Sequence, residues 1–355
     1  SASGPTSNVA FLRVVPGSSG PPLACDSSVY VSGGAGSTRL FRVDRSSVPY
    51  AAAEFSGPGY AASSGYTYDA LGFNPADGYL YAVVRDGSPG NFKSGSILRI
   101  DTDGAIADLG RPVQGAQLAE MPPSTTRYTG GAFAEDGTYY VSTDADGSAP
   151  AGERSRLLAI DVAASPPEVL TNARHGRDLN DIAVHPDGTV YAYTAIDQLV
   201  TIEPVSGSSA VIGTGSAGAA IDAAIFDANG RLTLLDAITG TVHAVDLATG
   251  ATTPITGGTA LGQADGASCA TGVSLDKRAV RPEALPGGTA AYDFTIHNAS
   301  STALTLDLDD TLDGGRTFLP GSLVLPVGAT ATAYGDTDTL SVSNLAVPAK
   351  SSISL

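Results

Sequence analysis

The sequence predicts an all-β protein: a five-bladed β-propeller with a disulfide-closed seam, followed by an immunoglobulin-like β-sandwich. Three observations predict it. A four-strand pattern recurs across residues 25–271, and helical periodicity is nearly absent. Two cysteines, Cys25 and Cys269, stand at the two ends of that repeated region. After residue 271 the pattern gives way to longer strands of alternating polarity.

Composition agrees. Charged residues make up 15% of the chain, against roughly 25% in ordinary soluble proteins. Gly (43) and Pro (22) are abundant and Trp is absent, which suits short strands and many turns better than helices. Hydrophobic residues reach 42% of 355, enough for a substantial core. The formal net charge of −17 repels phosphate backbones and anionic lipid, so no nucleic acid is expected as a partner. No apolar run reaches the ~18 residues of a membrane span, so no direct membrane insertion is expected. The chain opens Ser1-Ala2-Ser3 without Met, as a mature product does after signal-peptide removal.

Each repeat carries two motifs. The first is an apolar strand, an Asp-Gly or Asn-Gly turn, and a second strand. It appears as Phe73-Asn-Pro-Ala-Asp77-Gly78-Tyr-Leu-Tyr81, Phe133-Ala-Glu-Asp136-Gly137-Thr-Tyr-Tyr140, Val184-His-Pro-Asp187-Gly188-Thr-Val-Tyr191 and Phe226-Asp-Ala-Asn229-Gly230-Arg-Leu-Thr233. Such turns supply the positive φ of tight hairpins. The second is an apolar strand ending in an acid: Leu40–Asp44, Ile97–Asp101, Leu157–Asp161, Leu199–Glu203 and Val242–Asp246. A turn and a fourth short strand follow. Four strands every ~40–60 residues read as propeller blades, and five copies of the second motif predict five.

The first motif has only four full copies. Its fifth is split between the ends: Cys25-Asp26-Ser-Ser-Val-Tyr30 matches the second half and Asp265-Gly-Ala-Ser-Cys269 the first. The strand before Cys269 therefore completes the blade that begins after Cys25. A disulfide there replaces the missing turn, is worth about 5 kcal/mol on loop entropy, and implies an oxidising compartment.

The remaining segment contains Val273–Val280, Ala290–His297 and Leu304–Leu308, punctuated by Pro286-Gly-Gly288 and Asp313-Gly-Gly315. It reads as a sandwich over 272–355, after an N-terminal extension over 1–24 and a propeller over 25–271. Residues Pro286–Asn298 and Asp309–Phe318 resemble the bacterial conserved-repeat domain, the domain of unknown function eleven type. Ala70–Tyr81 and Val245–Gly250 resemble an uncharacterised propeller-like region found beside that domain. The resemblance implies a bacterial surface or secreted protein and supplies no catalytic residues. In that family the last strand runs on, whereas Ser351–Leu355 stops partway. The expectation is a chain that continues; the alternative is an edge completed by another subunit.

Candidate chemistry is sparse. Asp69, Thr129, Asn180, Asp222 and Asp265 hold equivalent places at the start of each blade's first strand, around one mouth of the channel. They are expected to cap turns within their own blades; the alternative is a cation or polar ligand held by the ring. Asp307, Asp309, Asp310 and Asp313 resemble a fragment of a calcium loop, as do Asp101/Asp103 and Asp144/Asp146, but none carries the full loop pattern. No cofactor is expected, with Ca2+ the one candidate. Gly213–Gly218 fits the dinucleotide fingerprint but leads into a strand rather than a helix, so no phosphate site is expected. His175, His185, His243 and His297 are scattered without metal-ligand or triad spacing. Asn298-Ala-Ser300 is a glycosylation sequon.

The function expected from these residues is a non-catalytic extracellular or cell-surface protein, adhesin-like, with the propeller as recognition head and the sandwich as connector. Its partners are a protein or glycan surface ligand, or copies of itself. The insertions 85–96 and 143–155 are expected to form the binding face. Two alternatives stand beside it: a fibre or surface-layer subunit joined by strand addition, and a propeller-type lyase or glycan hydrolase using the channel carboxylates.

Overall fold

The computed structural model describes the chain from residue 20 onward, except residues 26–27, 35–36, 45–48, 56–65, 87–91, 117–126, 145–154, 219–220, 271, 281–287, 301, 313–316 and 334–336. Much of both insertions named above, and Asp146 and Asp313, lie outside the described residues. Among the described residues all regular structure is β.

In chain order the strands are β1 (Val29–Gly33), β2 (Arg39–Asp44), β3 (Ala51–Glu54), β4 (Thr67–Asn74), β5 (Tyr79–Asp86), β6 (Ile97–Ile100) and β7 (Ile106–Gly110). Next come β8 (Val113–Gln114), β9 (Arg127–Phe133), β10 (Thr138–Asp144), β11 (Arg156–Asp161), β12 (Glu168–Arg174), β13 (Leu179–Val184), β14 (Val190–Thr194), β15 (Gln198–Ile202) and β16 (Ser209–Thr214). Then follow β17 (Ile221–Phe226), β18 (Leu232–Asp236), β19 (Val242–Val245), β20 (Thr252–Thr256) and β21 (Ala264–Ser268). The last six are β22 (Val273–Ala279), β23 (Tyr292–Asn298), β24 (Leu304–Thr311), β25 (Thr330–Ala333), β26 (Thr339–Val347) and β27 (Ser351–Ser354).

The first twenty-one strands form five sheets, ordered β21-β1-β2-β3, β4-β5-β6-β7, β8-β12-β11-β10-β9, β13-β14-β15-β16 and β17-β18-β19-β20. Neighbours are antiparallel apart from β8, which adds in parallel to β12. The turn motifs explain the hairpins. Gly78, Gly137, Gly188 and Gly230 all take φ between 70° and 93°. Beside them, Asp77, Asp136 and Asp187 accept the amide of the residue after the glycine at 2.9–3.1 Å. The acids ending the second motif play a similar part: Asp101, Asp161, Glu203 and Asp246 each accept a turn amide two residues on, at 2.8–3.1 Å. Each acid thus supplies an acceptor where the chain reverses.

Strands β4, β9, β13, β17 and β21 pack side by side in that order, and β21 packs back on β4. The core is correspondingly divided into layers between adjacent sheets. Tyr30 and Leu40 meet Phe73 and Leu98; Tyr81 and Ile97 meet Phe133 and Val141; Leu157 meets Ile182 and Val190. Tyr193 and Leu199 meet Ile221 and Leu234, and Ile225 meets Val29 and Val31. Helix-free burial of this kind needs close strand contact, which small residues supply. A Cβ on Gly131 would collide with the Ala70 carbonyl oxygen, and one on Gly130 with the Asp181 carboxylate. Gly131→Ala is therefore expected to cost about 2–3 kcal/mol, read by urea denaturation; an unchanged midpoint would show that the two strands part easily.

The seam lies where the sequence placed it. β1 pairs with β21, Val29 opposite Ser268 through Gly33 opposite Ala264, with no turn between them. Cys25 and Cys269 are disulfide-bonded across 244 residues of sequence. Among the described residues no helix is long and apolar enough to cross a membrane. The disulfide points to an oxidising, extracellular environment.

The last six strands form two antiparallel sheets, β22-β23-β27 and β24-β26-β25. They share one core, with Phe294 and Ile296 against Leu308, Leu340, Val342, Leu345 and Val347. Residues read from sequence as an interrupted last strand form β27, which pairs with β23 from Asn298 opposite Ser351 to Thr295 opposite Ser354. The sequon residue Asn298 is fully buried. Its Nδ2 donates to the carbonyls of Thr302, Val347 and Pro348 at 2.7–3.2 Å, so it ties β23 to β26 and is closed to modification in the fold.

This C-terminal unit contacts the hairpin-turn side of the five sheets. Lys350 Nζ lies 2.7 Å from Glu135 Oε2 and donates to the Pro186 carbonyl at 2.9 Å. Arg231 meets Asp276 at 3.0 Å. The opposite ends of the inner strands are left facing away from it.

Candidate functional site

Those opposite ends enclose a cavity of about 210 Å³, lined by Asp69, Arg85, Thr129, Asn180, Asp222 and Gln263 among others. Four of the five ring residues expected from sequence therefore come together at one mouth. Asp265 does not. It is fully buried and is not among the lining residues.

Strand register explains this departure. Counting from the hairpin aligns Asp265 with Asp222, Asn180 and Thr129, but those three are extra residues in bulges. The ladders of β9, β13 and β17 shift by one at Thr129, Asn180 and Asp222. β21 has no such shift. Across from the second strand of each sheet, the true equivalents are Asp69 opposite Val83, Asp181 opposite Tyr193, and Asp265 opposite Ser32. A bulge leaves one side chain unpaired and turns it outward, which is how Thr129, Asn180 and Asp222 reach the cavity.

The residues missed by sequence are Asp181, Arg85 and Tyr139. Asp181 Oδ1 accepts its neighbour's amide, Ile182 N–H, at 2.7 Å, and Oδ2 accepts Ala224 N–H of the next sheet at 2.6 Å. Asp265 repeats the arrangement with Gly266 N–H at 2.6 Å and Leu71 N–H at 2.7 Å. Each carboxyl therefore staples one inner strand to the next, whereas Asp265 was expected only to cap a turn within its own blade. Tyr139 Oη donates to the Ala70 carbonyl, at a residue held at φ 57°. The Gly130-Gly131 pair was the available signal for so close an approach. Asp181→Ala removes two buried acceptors and is expected to cost about 2–5 kcal/mol in urea denaturation; a loss below about 1 kcal/mol would show that the staple is dispensable.

The electrostatics are unusual for so acidic a group. Burial pushes Asp69 up to about 7, against the Arg85 guanidinium, which lies 3.3 Å from its Oδ2 and pulls it down. Burial pushes Asp222 up to about 6, with Asp236 adding to the rise. Asp181 and Asp265 are raised strongly by burial, and Asp265 further by the charges of Asp181 and Asp69. The mouth thus holds two carboxyls that exchange protons near neutrality beside one guanidinium. Such a pair can bind a cation, hydrogen-bond a polar group, or move a proton.

Among the described residues the calcium-loop fragments do not assemble. Asp307 Oδ1 accepts Asn344 N–H at 3.2 Å and Asp309 Oδ1 accepts Ser341 Oγ–H at 2.6 Å, while Asp310 pairs with Lys277 at 2.8 Å. Asp101 is spent on amides of Gly20, Asp103 and Ala105. Among the described residues no group of three or more His, Cys, Asp or Glu side chains is arranged to hold a metal ion.

A family model described as a repeat of unknown function (DUF6923) matches residues 30–271. The chain belongs to that family. The match leaves residues 272–355 uncovered, so the likeness of that segment to the conserved-repeat domain is not shown. No curated protein matches the chain. Among solved structures, a protein of unknown function from Bacteroides caccae is similar at 14% identity over 65% of this chain and 73% of that one, with a TM-score of 0.38. A streptogramin B lyase is similar at 10% identity, over 66% and 70%, with a TM-score of 0.35. The Dos1 propeller is similar at 16%, over 64% and 56%, with a TM-score of 0.32. These neighbours are propeller-like, as the DUF6923 region is. They also bear on one expectation: an enzyme, the streptogramin B lyase, stands among them, so the non-catalytic assignment made from sequence is not kept. At these values the likeness carries no activity to this chain.

Proposed function

We propose that the chain is an extracellular recognition protein whose ligand enters the acidic mouth. In this reading the five sheets are the blades of a five-bladed propeller closed at the disulfide seam. The C-terminal unit is an immunoglobulin-like connector akin to the conserved-repeat domain, attached to the opposite face. The observation that carries the reading is the polar cavity of about 210 Å³, on the side turned away from the C-terminal unit. Ligand sites favour concave places where a few polar groups converge on a rigid scaffold.

The test is binding of the full chain to glycan and peptide arrays. Asp222→Lys places a long cation in the cavity and is expected to abolish any binding found. Val205→Ser, at an exposed position on the β15–β16 turn, is expected to leave it intact. Binding that survives Asp222→Lys unchanged would place the recognition surface elsewhere.

One observation favours a second reading. Asp69 at about 7 and Asp222 at about 6 suit general acid–base catalysis at neutral pH, as a propeller-type lyase or glycan hydrolase requires. Turnover of an array glycan, lost in both Asp69→Asn and Asp222→Asn, would establish it; an intact glycan after prolonged incubation would leave recognition alone.

A further inference from the structure

The charge, size and rim of the mouth narrow what it takes, given the proposed role of the cavity in recognition. Asp69 and Asp222 line it, and Asp181 and Asp265 are fully buried. Among the described residues lining it, the only cation is Arg85, already 3.3 Å from Asp69. With both lining carboxyls ionised, the surplus is negative. Charge decides between two polar guests. The cavity, of about 210 Å³, has room for several water-sized groups. A lysine-length aminoalkyl chain fits within that space and brings a charge opposite to that of the carboxylates, which a neutral sugar ring does not.

We infer that the mouth takes a primary ammonium group on a slim aliphatic chain. An ammonium has three donors and no acceptor. It meets the Asp69 and Asp222 carboxylates, with Thr129, Asn180 and Gln263 also lining the cavity. The rim says which source of ammonium it suits. Ile196 and Ile238 are 69% and 64% exposed, at the same position of adjacent turns. Both turns are bonded to the segments that line the mouth: Ala195 N–H donates to the Asp178 carbonyl, and Leu261 and Gly262 donate to the Ala237 carbonyl. A lysine with apolar neighbours, on a partner protein, satisfies cavity and rim together; a free alkyl diamine satisfies the cavity alone.

Binding a cation favours ionised carboxylates. Among the described residues, the charged groups that act on Asp69 and Asp222, besides each other, are Arg85, Asp181, Asp236 and Asp265. Apart from Arg85 all are acids, so affinity rises as the mouth deprotonates.

The experiment is titration calorimetry on the full chain with N-acetyl-lysine methylamide, its norleucine analogue, 1,5-diaminopentane and the capped tripeptide Ile-Lys-Ile. The lysine derivative is expected to bind at least about tenfold tighter than norleucine, and to lose about tenfold in Asp222→Asn. Its affinity is expected to rise between about pH 5.5 and about pH 7.5. A tripeptide that binds tighter than the lysine derivative, with the gain lost in Ile196→Ser/Ile238→Ser, identifies a protein lysine. Equal affinity for the diamine identifies a free amine. If no ammonium probe binds while a neutral glycoside does so in an Asp222-dependent way, the ammonium inference is overturned and the mouth reading survives. If every array ligand found is also indifferent to Asp222→Lys, both are overturned.

Discussion

Reduction of the Cys25–Cys269 bond is expected to lower the free energy of unfolding by about 5 kcal/mol, the loop-entropy value for so long a span. The bond joins residues 244 apart, so nearly the whole of the five-sheet region is released in the unfolded chain. Urea denaturation with and without reductant, or of the Cys25→Ser/Cys269→Ser double variant, measures the loss. The damage has a named address. β1 and β21 are held by five paired residues and no connecting turn. Amides of Val29–Gly33 and Ala264–Ser268 should lose hydrogen-exchange protection before those of β13–β16 do. A loss under about 1 kcal/mol would mean that backbone pairing and the Asp265 staple to Leu71 close the seam without covalent help.

Mild acidification is expected to stabilise the protein. Asp69 is pushed up to about 7 by burial, while in the unfolded chain it titrates near the ordinary value of about 4. Between those values the folded form binds more protons than the unfolded form, so stability falls as pH rises through the window. At about 1.4 kcal/mol per unit, Asp69 alone costs up to about 4 kcal/mol above the window. Asp222, at about 6, acts in the same direction. Below the window the sign changes. Burial opposes it, but turn bonds win at Asp187 (Thr189, His185) and Asp236 (Thr239, Ile238), so both are held low and lose their contribution on protonation. Maximum stability is therefore expected at about pH 4–5. Thermal melts across that range check the optimum. Asp69→Asn should flatten the slope on its alkaline side; relief of the net charge of −17 affects variant and parent alike, so the difference in slope isolates the mouth. An equal slope would remove Asp69 from the account.

The repeat motifs were legible because they are local. A hairpin needs positive φ and a nearby acceptor, so Asp77-Gly78 and its copies declare themselves within a few residues. The disulfide was legible for the same reason: a split motif can be completed only by joining its halves. Acids at the ends of second-motif strands were legible as turn residues, because a carboxylate and the amide it accepts lie two positions apart.

What the chain alone determined was therefore the all-β class, the repeat, the turns and the joined cysteines. Tertiary structure decided which carboxyls face the cavity and which are buried as staples. Spacing assigned Asp265 to the mouth and passed over Asp181, because bulges in β9, β13 and β17 add a residue that β21 lacks, and one residue reverses the direction of a side chain in a strand. Arg85 reaches the cavity from a second strand, and Tyr139, on another second strand, reaches Ala70 across 69 residues of sequence. The proton affinity of the mouth likewise exists only once four aspartates from four strands are brought out of water together, since burial, rather than residue type, raises it.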